Sequence, residues 1–543
     1  MTLHRVFYCY FMKHKCRVGF LFIVTLISTL AGTLVLPLLT GKFIDTLTTT
    51  PIYKSVFKIL ALIIFFNIFN MIIGFVSNIF YAVTNTKIAL DVILDTTKHI
   101  QSSSVEYSGN LDSAFTTEQI NRDSNSIVSF LLEFLMNGST KVITFIATAV
   151  LLFKINVVIF LIFLISLPIY VFIYITFKDK IYTVSLEFKN QQSAFFSEMN
   201  RQLMNIDSIK LNSWASILHM DAQSATSSFF KSFLKNIKVI NLFSTTNSFM
   251  IMLTNLICLF IGGIGVIEGK ITLGQLTMIT SYFNITVGSL QYFLNFIQSY
   301  QEINVSLLRM TQHWQVEEET FKDTTVNYIQ QISIKELSFS YNQNQKLIHS
   351  FSYTFDQGFL YSIIGRNGTG KSSLIKILAG LYTGHNNCIY YNGIPLTDLN
   401  VDLLRKLKLA IVVQDPLIME NSLFKNVTYG LDMKKVDTEK YSTYVTMFGL
   451  EQAANKNSSD KLSLSGGERQ KSAIIRALLK EPDVLIMDEP TSMLDDHSVQ
   501  VLLHTLRELR SKMIIIIVTH DSRIINESDR VINLSPVEML IES

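Results

Sequence analysis

The residues with the clearest chemistry form one run, Gly365-Arg366-Asn367-Gly368-Thr369-Gly370-Lys371-Ser372, followed by Ser373. Gly365, Gly368 and Gly370 let the backbone take conformations closed to other residues, so successive N–H groups can curl around an anion. Lys371 would set a cation on the outer phosphates of a nucleotide, and Ser372 would offer a hydroxyl to Mg²⁺. The surroundings suit such a loop. Leu360-Tyr361-Ser362-Ile363-Ile364 reads as a buried strand before it, and Leu374-Ile375-Lys376-Ile377-Leu378 as a helical pattern after it.

A second apolar run, Val484-Leu485-Ile486-Met487, ends in Asp488-Glu489. A carboxylate at the carboxyl end of a strand lies where a nucleotide's metal ion would sit. Asp488 would hold Mg²⁺, and Glu489 would polarise the attacking water. A third run, Ile514 to Val518, ends at Thr519-His520. Alone, His520 reads as a structural histidine. Three buried strands delivering a lysine, an acidic pair and a histidine to one edge favour a site instead.

Between these runs stands Leu464-Ser465-Gly466-Gly467-Glu468, with a helical pattern starting at Arg469. With the other motifs in the same order, this region resembles the ATP-binding-cassette (ABC) exporter family. The resemblance implies ATP and Mg²⁺ as cofactors and assigns roles by position. Tyr341 would stack on adenine. Gln414, in Val412-Val413-Gln414-Asp415, would sense Mg²⁺ and the membrane domain. Ser465, Gly466 and Gly467 would meet the γ-phosphate, Ser492-Met493-Leu494-Asp495 would form the D-loop, and His520 would be the switch histidine. Two departures stand out. Glu468 occupies a position where glutamine is commonest, and residues 450–463 lack the usual acidic, glycine-containing segment. In the family each ATP lies between the phosphate loop of one domain and the signature of another, so two chains are required. With Glu489 and the signature both intact, a homodimer is expected over a heterodimer.

The elements that must position this chemistry divide the chain of 543 residues in two. Hydrophobic residues make up 49% and charged residues 16%, against the typical quarter, and the excess lies in the first three hundred residues. Six apolar stretches suit membrane spans: 18–39, 56–80, 127–153, 156–178, 240–267 and 273–300. Short connections alternate with long polar stretches at 81–126 and 179–239. The second is rich in lysine, and Lys13, Lys15 and Arg17 precede the first span. The positive-inside rule therefore puts the N-terminus, both long stretches and the ATPase domain in the cytoplasm, with the spans in an inner or plasma membrane. The run after Arg17 is too long for a cleaved signal, and His4 to Met12 suits a short interfacial helix. A net charge of +3 gives no reason to expect nucleic acid. Cys9, Cys16, Cys258 and Cys388 lack the spacing of a zinc or disulfide framework.

The fold class expected is a six-helix membrane domain of exporter type plus an α/β P-loop ATPase. The boundaries are 1–17 for the interfacial segment, 18–310 for the membrane domain, 311–328 for a linker and 329–543 for the ATPase domain. Gly269-Lys270-Ile271-Thr272-Leu273-Gly274-Gln275-Leu276 resembles the exporters' turn into the sixth helix, and Asn205 to Lys210 their second cytoplasmic loop, which docks on the partner ATPase. Trp214 is a candidate docking residue, and 111–121 the expected first coupling segment.

Polar residues inside spans are expensive and face a partner or a water-filled cavity. Span six carries Thr277, Ser281, Asn284, Gln291 and Asn295 along one stripe. Span two carries Asn67, Asn70 and Asn78, and span five Ser248 and Asn255. A polar, amide-rich cavity would suit a peptide backbone; alternatively, these residues join helices to one another. The Met278-Ile279-Thr280-Ser281-Tyr282 neighbourhood resembles bacterial exporters of microcins and lasso peptides. The expected cargo is therefore an antibacterial peptide or other amphipathic small substrate, with self-immunity as a consequence. A lipid or multidrug exporter and a non-transporting ATP-gated sensor or channel are the alternatives. Fewer than twenty residues precede span one, so no leader peptidase is expected on this chain.

Overall fold

A computed structural model describes residues 7–49, 53–109, 111, 113–319, 322–341, 347–382, 387–419, 421–434, 436–455 and 464–534. The start of the expected interfacial segment and residues 456–463 lie outside this set. The chain forms two compact units. One holds Met1–Gln101 and Leu111–Val316, and the other Ser102–Asn110 and Glu317–Ser543.

The first unit consists of six long helices: Lys15–Thr49, Tyr53–Gln101, Phe115–Ile155, Val157–Met204, Ala215–Ile267 and Leu273–Gln315. Among the described residues, the first five are long and apolar enough to cross a membrane. The sixth falls short because threonines, amides and serines interrupt its aliphatics. The helices run well past the apolar stretches. The polar stretches at 81–126 and 179–239 are mostly continuous helix, because Lys, Glu and Gln favour a helix in water about as well as leucine does. Phe7–Phe11 forms a helical turn whose Tyr10 and Phe11 are buried against Leu21, Ile88 and Met310.

The sixth helix is fastened at both ends. At its start Thr272 and Gln275 form a reciprocal capping box, with the Thr272 hydroxyl accepting from the Gln275 N–H at 3.0 Å. Asp45 of the first helix adds a second cap: its carboxylate accepts the Gly274 N–H at 2.8 Å and the Thr272 hydroxyl at 2.9 Å. Gly274 must be glycine here, since a Cβ would lie 2.1 Å from the Gly41 carbonyl oxygen. Midway, Thr286 donates to Thr148 at 2.7 Å, and Tyr282 donates to the Leu34 carbonyl at 2.9 Å. Near its other end Arg309 donates to both carboxylate oxygens of Asp123, at 2.8 and 2.6 Å, and Trp314 donates to Thr96 at 3.1 Å.

The first coupling segment differs from expectation. Residues 113–133 belong to the third helix. The turn between the second and third helices lies earlier, where Ser104 leaves helical geometry and a short helix Val105–Ser108 follows. This turn belongs to the second unit: the Glu319 N–H donates to the Ser102 carbonyl at 2.8 Å. Chain reversal is set by these backbone breaks, which the polarity of the stretch does not reveal.

The second unit is built on two sheets. β1 (Gln331–Phe339), β2 (Ile348–Asp356), β4 (Ile389–Tyr391) and β5 (Ile394–Pro395) form an antiparallel sheet in the order β2-β1-β4-β5. β3 (Leu360–Ile364), β6 (Leu409–Val412), β7 (Val484–Asp488), β8 (Ile514–Val518) and β9 (Arg530–Asn533) form a parallel sheet in the order β6-β7-β8-β3-β9. β7 and β8 are almost wholly aliphatic because a central parallel strand is covered on both faces. Since β7, β8 and β3 are neighbours, their carboxyl ends open side by side.

Candidate nucleotide-binding site

The phosphate loop leaves β3 and enters the helix Lys371–Leu378. Gly368 and Gly370 have φ of +83° and +94°, which a side chain would strain. A Cβ on Gly365 would lie 2.4 Å from the Leu534 carbonyl oxygen. Lys371 folds back into the loop, and its Nζ donates to the carbonyls of Gly365 at 2.7 Å and Arg366 at 3.0 Å. The ammonium is thus held at the amino end of a helix, where backbone N–H groups and helix dipole also favour an anion. Arg366 and Asn367 are exposed, and Thr369 is buried with its hydroxyl on the Arg366 carbonyl.

Ser372 is exposed, whereas Ser373 is buried. The Ser373 hydroxyl is hydrogen-bonded to the Tyr341 hydroxyl at 2.8 Å. That bond pins the Tyr341 ring, which also meets Phe339 edge-on at 4.9 Å and Tyr382 at 5.8 Å. Tyr341 stays 56% exposed, so a ring face is open for stacking on a base.

Asp488 ends β7 opposite Val518, and Glu489 follows with φ of +46°. A glutamate in the left-handed region costs about 1 kcal/mol or more, so the surrounding structure must hold it there. The hold is visible: the Glu489 N–H donates to the Val518 carbonyl at 2.8 Å, and the Ser492 hydroxyl donates to the Glu489 carbonyl at 3.1 Å. Its carboxylate lies 3.4 Å from the amide nitrogen of Gln414. The structure therefore brings Gln414 to Glu489 across 75 residues of sequence. His520 is exposed just after β8. Next to it Asp521 caps the helix Ser522–Glu527, and the Arg523 guanidinium holds its carboxyl at about 2.

Ser465 caps the helix Gly466–Leu479. Gly466 and Gly467 lie under the D-loop: a Cβ on Gly467 would stand 2.7 Å from the Met493 carbonyl oxygen. Lys471 fastens the same two elements with an ion pair to Asp495 at 2.7 Å, which drives the Asp495 carboxyl far below the usual range. Sequence reading missed Lys471, since nothing local links positions 471 and 495. Oxygen donors from Ser372, Asp488 and Gln414 suit a hard cation such as Mg²⁺, which is held by one or two carboxylates with few other protein oxygens and completes its shell with phosphates and water.

In the first unit, several stripe residues bond within the chain. Ser28 donates to Asn70 at 3.3 Å, Asn255 to Asn284 at 2.8 Å, and Asn67 to its own helix at Ile63. Asn70, Asn255 and Asn284 thus join helices, the alternative reading of the stripes. Asn78, Ser248 and Asn295 are exposed, and Thr277, Ser281 and Gln291 are half-buried. On the sixth helix Ile279, Tyr282, Phe283 and Val287 fill the core, leaving the polar stripe on the opposite, more open face.

Replacing Lys371 by alanine is expected to weaken nucleotide binding by about tenfold or more, since a charge-assisted contact to phosphate is worth 1.5–3 kcal/mol. Equilibrium binding of a fluorescent ATP analogue to the purified protein checks this. Unchanged affinity would remove Lys371 from the phosphate site.

Residues 348–492 match the family described as ABC transporter, and residues 19–290 the family described as ABC transporter transmembrane region. A putative export ATP-binding/permease protein of Rickettsia bellii is 24% identical, over 77% of this chain and 73% of that protein. The mesentericin transport/processing ATP-binding protein of Leuconostoc mesenteroides is 25% identical, over 89% of this chain and 68% of its own length. A mitochondrial iron–sulfur clusters transporter of Saccharomyces cerevisiae is 29% identical over 51% of this chain, and the match spans only 42% of that relative. A solved structure of a bacterial Atm1-family ABC exporter with ATP bound shares the fold, with a TM-score of 0.84 at 20% identity over 96% of this chain and 95% of that one.

Proposed function

The chain belongs to the ABC transporter family, and from that premise we propose that two copies form an ATP-driven exporter of the inner or plasma membrane, with the ATPase domains in the cytoplasm. The observation that carries the ATPase reading is the meeting of Lys371, Asp488, Glu489 and Gln414 at one sheet edge, in a chain that also holds six long helices.

In this reading the phosphate loop binds ATP, and Tyr341 stacks on its adenine. Ser372, Asp488 and Gln414 hold Mg²⁺, which neutralises charge on the phosphates. Glu489 accepts a proton from the attacking water, and His520 contacts the γ-phosphate. Ser465, Gly466 and Gly467 of the second copy complete the site. ATP drives transport because it binds the closed pair of domains better than the open one.

Closure reaches the helices through the tip between the fourth and fifth. There Ile206 and Leu211 of the short helix Ile206–Leu211, and Trp214 just before the next helix, are exposed. In the ATPase unit, beside Gln414, a groove of about 340 Å³ is lined by Val413, Pro416, Leu417 and Tyr429. The tip of one copy is assigned to this groove of the other.

The cargo is read as an antibacterial peptide. Support comes from the open polar face of the sixth helix and from likeness to a bacteriocin transport protein along most of the chain. A lipid or multidrug exporter shares the fold and differs in cavity chemistry. The test is ATPase turnover in lipid nanodiscs, alone and with a lasso-type peptide, a phospholipid panel or a cationic dye. Stimulation by the peptide alone is the expected result. Stimulation by lipid or dye without peptide would reject the peptide cargo and leave the ATPase reading standing.

A further inference from the structure

The geometry points to Glu468 as a built-in brake on ATP-driven closure: its carboxylate occupies the donors of Ser465 that the partner's γ-phosphate would need. This rests on the reading above, in which Ser465 of one copy meets ATP held by the other, and adds a regulation of that site.

Ser465 has two donors, and both are aimed at one atom. Its backbone N–H donates to Glu468 Oε2 at 2.8 Å, and its hydroxyl to the same oxygen at 2.9 Å. The hydroxyl in turn accepts the Glu468 N–H at 3.3 Å. A serine hydroxyl carries a single proton, so once it is given to Glu468 the oxygen can offer a phosphate only lone pairs. Glu468 therefore opposes closure in two ways. A carboxylate is a stronger acceptor than a neutral amide, so it gives up the Ser465 protons less readily. Its own charge also repels an arriving γ-phosphate.

Glutamine at this position would keep the helix cap, because the box accepts either residue at its third helical position. It would remove the charge and hold the serine more weakly. The chain thus has a cap that is sound for folding and unfavourable for closing on ATP. Consequently the closed, ATP-loaded pair is shorter-lived and needs more ATP to form than it would with glutamine.

The test compares Glu468→Gln and Glu468→Ala with the parent, as full-length protein in nanodiscs. One readout is the KM for MgATP. The other is the release rate of labelled ATP from each variant in a Glu489→Gln background. Both substitutions are expected to lower KM and slow release by about threefold to tenfold, the range set by exchanging a charge-assisted hydrogen bond for a neutral one. Thermal unfolding should be unchanged for Glu468→Gln and lower for Glu468→Ala, which loses the cap. If Glu468→Gln matches the parent in KM and release, the brake is refuted and the exporter reading survives. If only Glu468→Ala changes, with weaker closure and lower stability, Glu468 is a helix cap and nothing more. If the parent hydrolyses no ATP and Lys371→Ala leaves nucleotide binding intact, the exporter reading fails and the brake falls with it.

Discussion

Glu489→Gln is expected to reduce ATP turnover by about 10²–10⁴-fold, the range for removing a positioned general base, while leaving ATP affinity within about twofold. Glutamine preserves the shape and the backbone anchors of Glu489, including the 2.8 Å bond to Val518 and the grip of Ser492. It cannot take a proton from water. ATP would still close the two copies but would not be cleaved, so the variant should accumulate in the closed state. Turnover and nucleotide occupancy, measured on one preparation, check both halves of this expectation. Normal turnover would move the catalytic role elsewhere and reduce the left-handed backbone at Glu489 to a local strain.

The largest stability effect is expected at Arg309. Asp123 is only 1% exposed, whereas Arg309 is 35% exposed. Arg309→Ala would strand a buried carboxylate that keeps the Ser306 hydroxyl, at 2.9 Å, as a donor. Breaking a buried pair in this way costs about 3–5 kcal/mol. Asp123→Ala should cost clearly less, because the arginine left behind can reach water. Asp123→Asn on the Arg309→Ala background should recover part of the loss, since a neutral amide tolerates burial better than an unpaired charge. Thermal unfolding of the four proteins in one detergent gives the comparison. Equal losses for the two alanine variants would refute the asymmetry and show that packing, rather than the stranded charge, sets the stability here.

The pair also fixes the sixth helix to the third. Arg309 stands on the sixth helix two turns before that helix ends at Gln315, and Asp123 stands on the third. Together with Trp314 on Thr96 and Asp45 at the opposite end, it makes the sixth helix a strut fixed to its neighbours along its length. A strut of this kind can pass a movement at one end to the other without bending.

What the sequence by itself determined was local. The phosphate loop, the acidic pair at the end of β7 and the apolar helices all follow from interactions within a few residues. Backbone sterics demand the loop glycines, and a hydroxyl three positions before a Glu or Gln at the start of a helical pattern can close a cap from local residues alone. The buried strands were legible because short, unbroken runs rich in β-branched residues and ending in turn or charged residues suit burial on both faces of a sheet.

Tertiary structure alone decided the rest, because those choices join positions far apart in the chain. Asp45 meets Gly274 across 229 residues, and Asp123 meets Arg309 across 186. Lys471 meets Asp495 only because Gly466 and Gly467 let the D-loop lie against the signature helix. The polar stripes show the same limit most plainly. Periodicity places Asn70, Asn255, Asn284 and Asn295 on helix faces, but a face has no meaning until its neighbour is known. Three of these amides hydrogen-bond across helices and Asn295 lies open, a difference made by helix packing and invisible in the spacing.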